Sequence, residues 1–275
     1  MSIITNKIDS LPPLSSTVIE LENFRKSPSK SPEELLKIIE KDPLTISTLL
    51  KVANSAMFAF RSKVETPARA ISLLGVNFTI SIAIGSSLRS VLSNDLEAYD
   101  IDMNDFIRYS NLISALVNIW MGLINKTLQD ELAIPSFLQD IGKLIISDIA
   151  KTYGKSESFL KLVKSNQVDI EEIEKKMVGL SSSEITANMF KHWKLSETLI
   201  NSIEFIDNIQ ECKDEYLEKT RILKIAKTAC TINNPLDDKY IQKALDLAKE
   251  YGFDIEKLSK ALDILQERLL DEKKD

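Results

Sequence analysis

Histidine is the side chain most often recruited for acid–base and metal chemistry near neutral pH, and this 275-residue chain contains one, His192. A single imidazole leaves no histidine to spare for a Ser-His-Asp triad, and it excludes a histidine-rich zinc or di-iron centre and a His–His phosphorelay. His192 stands beside Trp193 with no second histidine or cysteine near it in sequence, so it reads as a partly buried structural residue near a helix end rather than a ligand or general base. Cys212 and Cys230 show neither a CxxC spacing nor a framework of bridges, which is the pattern of two reduced thiols in a cytosolic protein. The formal net charge is −6, the wrong sign for a protein that grips phosphate backbones, so no nucleic-acid partner is expected.

The elements that must position these groups are helical. Only 7 glycines and 8 prolines occur, about half the usual share of these breakers. That scarcity favours long helices over many short strands. Helix starts are written as caps, in which a side-chain oxygen accepts a free first-turn amide ahead of a proline with preset φ. Ser31-Pro32-Glu33-Glu34 reads as a capping box with Glu34 reaching back. Asp42-Pro43 and Thr66-Pro67 repeat the device, Ser181 to Glu184 is a fourth start, and Asp254 a fifth. Leu112, Leu116, Ile119, Trp120, Leu123 and Ile124 share one helical face. Ile255, Leu258, Leu262, Leu265 and Leu269 step by three and four, a stripe for packing within the molecule. One segment dissents. Phe78, Ile80, Ile82 and Ile84 alternate as in a strand, yet Ile80, Ile84, Leu88 and Val91 also fit a helix and no partner strand exists; a buried helix is predicted.

The fold class is therefore all-α. Polar stretches at Ser93 to Asp102 and Asn208 to Glu215 suggest three segments: an N-terminal helical part over residues 1–95, a central helical part over 96–208, and C-terminal helices over 209–275 packed on it. Residues Met1 to Asp9 carry no apolar signal core, and the most apolar helical stretch, Leu112 to Ile124, is too short for a membrane span. The expectation is a soluble, cytoplasmic protein with no membrane partner.

A set of motifs in order is more specific than any of these signals. Leu11-Pro12-Pro13-Leu14 is followed by Ile39-Glu40-Lys41-Asp42-Pro43, then Ala53-Asn54-Ser55-Ala56, then Ala70-Ile71-Ser72-Leu73-Leu74-Gly75. Further on come Phe137-Leu138-Gln139-Asp140-Ile141-Gly142-Lys143-Leu144 and His192-Trp193-Lys194-Leu195. Over roughly residues 11 to 208 this resembles the HDOD family, the HD-related output domains of bacterial signalling proteins. Asn54, Ser55, Gly75 and Trp193 are the family-motif residues; Asn54 itself reads as a helix C-terminus in the left-handed conformation or bonding local backbone.

The resemblance implies an N-terminal helical subdomain joined to a degenerate form of the helical bundle of HD phosphohydrolases, whose metal centre uses several histidines and aspartates to activate water. Laid ungapped on that pattern, the first histidine's place falls at Ser110 and the His-Asp pair becomes Gln139-Asp140. A later histidine falls at Ser182, a His-His pair at Ile206-Asp207, and the final aspartate at Lys227. Only Asp140 keeps its type. Serine and amide oxygens are poor ligands for a transition metal, and a lysine repels a cation, so the resemblance implies no catalytic residue, no metal and no cofactor. Two readings of the pair follow: Lys227 replaces the lost cation in a salt bridge with Asp140, since an unpaired buried carboxylate is costly, or Lys227 is a solvated residue on a helix face and Asp140 caps the Gly142 turn.

The leading expectation is a non-catalytic signal-transduction output or scaffold module that contacts unknown signalling proteins. Two alternatives stand beside it. A carboxylate-only Mg²⁺ site from Asp140, Glu184 and Asp207 would sustain phosphoester hydrolysis. A former catalytic cavity, lined by basic groups between the helices of Asp140 and Lys227, would bind a small molecule such as a nucleotide.

Overall fold

The computed structural model describes residues 3–27, 30–58, 60, 62–89, 92, 95–165 and 168–272. Sixteen α-helices and no strand occur among them. The first six are α1 (Ile3–Asp9), α2 (Ser16–Lys26), α3 (Pro32–Ile39), α4 (Pro43–Ala53), α5 (Pro67–Leu74) and α6 (Val76–Arg89). The next five are α7 (Met103–Gly122), α8 (Lys126–Leu138), α9 (Gly142–Thr152), α10 (Ser156–Ser165) and α11 (Ile170–Val178). The last five are α12 (Ser182–His192), α13 (Glu197–Glu204), α14 (Asp214–Ala229), α15 (Asp238–Glu250) and α16 (Ile255–Glu272). No helix among the described residues is long and apolar enough to cross a membrane.

Caps set the helix starts. Asp42 accepts from the Leu44 amide at 3.0 Å, Thr66 from Arg69 at 3.3 Å and Asp254 from Lys257 at 3.1 Å. At α12 the box is reciprocal: the Glu184 amide donates to Ser181 Oγ at 3.4 Å, and the Ser181 amide donates to Glu184 Oε2 at 2.8 Å. At Ser31 only half of the expected box forms. Its Oγ accepts from the Glu34 amide, but the hydroxyl donates to Glu33, one residue nearer, so the Glu34 side chain is not the one that closes the pair.

Two compact units interleave along the chain. One contains residues 13–90, 111–137 and 245–275. In it α6 packs against α2 and α4. Phe78, Ile80, Ile82 and Ile84 are buried, and so are Thr79, Ser81 and Ala83 between them. A helix covered on all sides has no amphipathic period, which is why its sequence imitates a strand. The buried hydroxyls turn back onto the helix: Thr79 donates to the Gly75 carbonyl at 2.8 Å and Ser81 to Phe78 at 2.6 Å. The α16 stripe buries Leu258, Leu262 and Leu265 and packs on the turn at Ala56–Phe58. The α7 stripe is shorter than its sequence suggested, because α7 ends at Gly122 and leaves Leu123 and Ile124 more than a third exposed.

Asn54, expected to be left-handed or bonded to local backbone, has φ −89° and takes the second course. Its amide exchanges two hydrogen bonds of 2.8 Å with the Val64 backbone and donates a third to Leu50. Ser55 donates to the Val52 carbonyl at 2.8 Å. Both side chains close a turn. Gly75 ends α5 at φ +84°, a conformation that side chains with a Cβ rarely adopt.

The other unit contains residues 1–12, 91–110 and 138–244 and runs unbroken through the polar stretch at 208–215. Here α12 packs against α9, α13 and α1. Trp193 Nε1 donates to the Pro12 carbonyl at 2.9 Å, tying the Leu-Pro-Pro-Leu segment to the end of α12.

Candidate functional site

The chemistry-bearing side chains of this second unit gather in one buried cluster, and a glycine lets them. A Cβ on Gly142 would lie 2.3 Å from the Ser182 carbonyl oxygen, so only glycine permits α9 and α12 to meet this closely. The Gly142 amide donates to Thr186 Oγ1 at 2.9 Å, locking the contact. The close approach brings the residues flanking Gly142, Asp140 and Lys143, against the first turn of α12.

Asp140 is buried and both of its oxygens are engaged. Tyr109, on α7, donates to Oδ2 at 2.5 Å, and Ser182 donates to Oδ1 at 2.6 Å. Lys227 Nζ, on α14, lies 3.1 Å from the same Oδ1, and Lys143 Nζ lies 3.6 Å away. The Lys227 ammonium also donates to Ser183 Oγ at 2.9 Å and Asp207 Oδ2 at 3.0 Å. A third hydrogen bond runs to Ser182 Oγ at 3.4 Å, and with the Asp140 ion pair the ammonium sits in a cup of oxygen atoms. Lys143 is held separately: it donates to Glu174 at 2.6 Å and Ser182 at 3.1 Å, and it lies over the Tyr99 ring, 5.2 Å from the centroid. Glu174 accepts in addition from Tyr99 Oη at 2.9 Å and the Ser182 amide at 2.7 Å. Asp207 accepts from Lys224 at 3.0 Å.

Of the positions singled out in the sequence, Asp140, Ser182, Asp207 and Lys227 thus converge. Ser110 and Gln139 are buried, but the neighbours of each, Tyr109 and Asp140, are the residues that make the contacts above. Glu184 is drawn into the α12 capping box and lies 3.5 Å from Lys175. His192 ends α12, with Nδ1 4.0 Å from Asp9. Cys212 and Cys230 are free. Tyr99, Tyr109, Lys143, Glu174 and Lys224 are members that sequence reasoning passed over. Lys143 stood inside the motif Asp140-Ile141-Gly142-Lys143, and its three-residue spacing from Asp140 on a helix start was the available signal. Tyr99 lies in the polar stretch read as a boundary, where nothing marked it.

Burial alone would raise the Asp140 carboxyl, but the Lys143 and Lys227 ammonium groups and the Ser182 and Tyr109 hydrogen bonds outweigh it and hold the group at about 2. Asp207 is driven in the same direction, against its own burial, by Lys227 and Lys224. Desolvation opposes the charge on Lys227, yet Asp140, Asp207 and Glu171 raise it well above the ordinary lysine value. Burial, then the carboxylates of Glu174 and Asp140 respectively, push the Tyr99 and Tyr109 hydroxyls upward. Asp140, Asp207, Lys227, Tyr99 and Tyr109 are thereby each moved further from neutrality, whereas a general acid or base works best near its operating pH.

Nor does the donor set suit a divalent metal. A cation beside Asp140 would face two ammonium groups within 3.6 Å of the same oxygen and a carboxylate each of whose oxygens already accepts a hydrogen bond. Among the described residues no group of three or more His, Cys, Asp or Glu side chains is placed to hold a metal ion.

Comparison with known proteins places the chain. An uncharacterized protein of Treponema pallidum (strain Nichols) is 23% identical over 224 residues, 78% of this chain, and the match spans 40% of that protein's length. Among solved structures, a Marinobacter aquaeolei VT8 protein provisionally assigned to signal transduction superposes with TM-score 0.69 at 18% identity, covering 94% of this chain and 58% of that one. A Shewanella amazonensis SB2B protein provisionally called a phosphohydrolase superposes with TM-score 0.65 at 20% identity, covering 96% and 97%. At these identities the likeness shows the fold. The HDOD domain model matches residues 11–209, from the Leu-Pro-Pro-Leu opening past Trp193, and the chain belongs to that family.

Proposed function

We propose that this protein is a non-catalytic output or scaffold module of bacterial signal transduction, acting through contacts with other signalling proteins, and that its ion cluster is a metal site rebuilt as a structural one. The observation that carries this reading is the Lys227 ammonium, set among oxygens of Asp140, Ser183 and Asp207 at 2.9–3.1 Å. A side-chain cation in that cup does for folding what a bound metal does, by neutralising buried carboxylates, and it supplies no open coordination position for water or substrate. The family membership and the signalling assignment of the Marinobacter structure support the biological half. The carboxylate Mg²⁺ alternative loses Glu184 to the α12 cap.

The test is metal analysis of the purified protein together with hydrolysis of bis(p-nitrophenyl) phosphate in Mg²⁺ and in Mn²⁺. The expected outcome is no stoichiometric metal, no turnover above buffer and the same melting temperature with and without EDTA. Turnover abolished by Asp140→Asn would overturn the reading.

A further inference from the structure

The ion cluster opens to solvent through a cleft whose wall includes Tyr109, Glu171, Lys224, Lys227, Tyr240 and Lys243. The charges on this wall are not held equally. The carboxylates of Asp140, Glu174 and Asp207 each take a lysine contact at 3.1 Å or less. Asp169 pairs with Lys243 at 2.6 Å at the rim. Glu171 differs: its carboxylate lies 3.7 Å from Lys227 Nζ and 3.8 Å from Lys224 Nζ, and its side chain is 20% exposed. With four lysines on the wall and five carboxylates around them, Glu171 is the surplus anion, and the most loosely held.

The geometry points to this cleft as a binding site for the phosphate group of a small molecule, in which the phosphate displaces Glu171 beside Lys224, while the Lys227 ammonium keeps its contacts in the cluster and contributes its charge. A phosphate offers several strong acceptor oxygens. Lys224 sits at the turn between buried and open space, donating to Asp207 on one side and facing Glu171 across the cleft on the other. Lys243 and Tyr240 stand on the outer wall, placed for the rest of a ligand. Glu171 then acts as an internal competitor that keeps the lysines neutralised when the cleft is empty. Without such an exchange a phosphate would meet an excess of negative charge. The inference rests on the metal-free reading above, since a cation in the cluster would bind phosphate directly.

Competition by a built-in carboxylate has a signature that a merely structural Glu171 lacks: removing its charge must tighten binding. The experiment follows thermal unfolding of the full chain during titration with inorganic phosphate and with AMP, at constant ionic strength and with chloride as the control anion. Expected are a saturable rise in melting temperature for the native sequence, a midpoint about tenfold lower for Glu171→Gln, and loss of the effect in Lys224→Gln. Lys243→Gln, at a half-exposed rim pair, gives a second weakening variant should Lys224→Gln fold poorly; it should raise the AMP midpoint. No saturable effect in either the native protein or Glu171→Gln, or one midpoint shared by all four proteins, would overturn the proposal. Phosphate binding could fail while the turnover assay still returns no activity, so the two readings fall separately.

Discussion

At the residue scale, a single ammonium decides the character of the cluster. Lys227 Nζ donates hydrogen bonds to Asp207, Ser183 and Ser182 and forms an ion pair with Asp140. Desolvating an ion costs several kcal/mol even after relaxation, and a buried pair recovers this only when the remaining lone pairs are satisfied. Here they are, because Tyr109 and Ser182 complete Asp140. Removing one partner therefore exposes the whole penalty. Asp140→Asn keeps the shape but leaves Lys227 and Lys143 short of a counter-charge, and should destabilise the fold by about 3–5 kcal/mol. For a chain of this size that lowers the melting temperature by about 10 °C, measurable by circular dichroism. A loss within 1 °C would mean that the cluster contributes nothing to folding.

At the scale of elements, the decisive contact is α9 against α12. The Gly142 approach to the Ser182 carbonyl sets how deeply Asp140 and Lys143 reach beneath the first turn of α12. A methyl group at 142 would strike backbone rather than a movable side chain, so Gly142→Ala should cost roughly 1–3 kcal/mol through overpacking. It should also raise amide exchange at Gly142 and Ser182 ahead of the rest of α12. Unchanged exchange at both would remove this contact from the argument. The cap that starts α12 was legible from single residues because a cap is local: Ser181 and Glu184 hold each other within one turn. The motif containing Asp140, Gly142 and Lys143 was legible as a resemblance. What joins the cluster was not. Tyr99, Glu174 and Lys224 come from a short turn and two helices whose sequences look like ordinary solvated surface, and only the tertiary contact makes them partners in the cluster. The interleaving of the two compact units was equally silent, since α7 contributes to both without any break in its apolar pattern.

For the molecule as a whole, the cluster converts into a pH dependence whose sign can be worked out. Asp140 and Asp207 are lowered from the ordinary aspartate value near 3.9. A lowered carboxylate contributes stability that is complete above its unfolded value and is lost as pH falls through its folded one, about 2 for Asp140. Lys143, Lys224 and Lys227 are raised. Their contribution is complete below the unfolded lysine value near 10.4 and fades as pH rises past it. Between roughly pH 5 and 9 neither these two aspartates nor these three lysines change charge, so their contribution must be flat. Surface carboxylates elsewhere also change stability with acid, and the comparison that isolates the cluster is the native protein against Asp140→Asn. The gap in melting temperature between the two should hold constant from pH 5 to 9, shrink between pH 4 and 2 as Asp140 takes up its proton, and shrink again above pH 10.5 as the lysines lose theirs. A gap that opens or closes near pH 7 would place a titrating group in the cluster at the pH where acid–base catalysis works, and would overturn the proposed non-catalytic role.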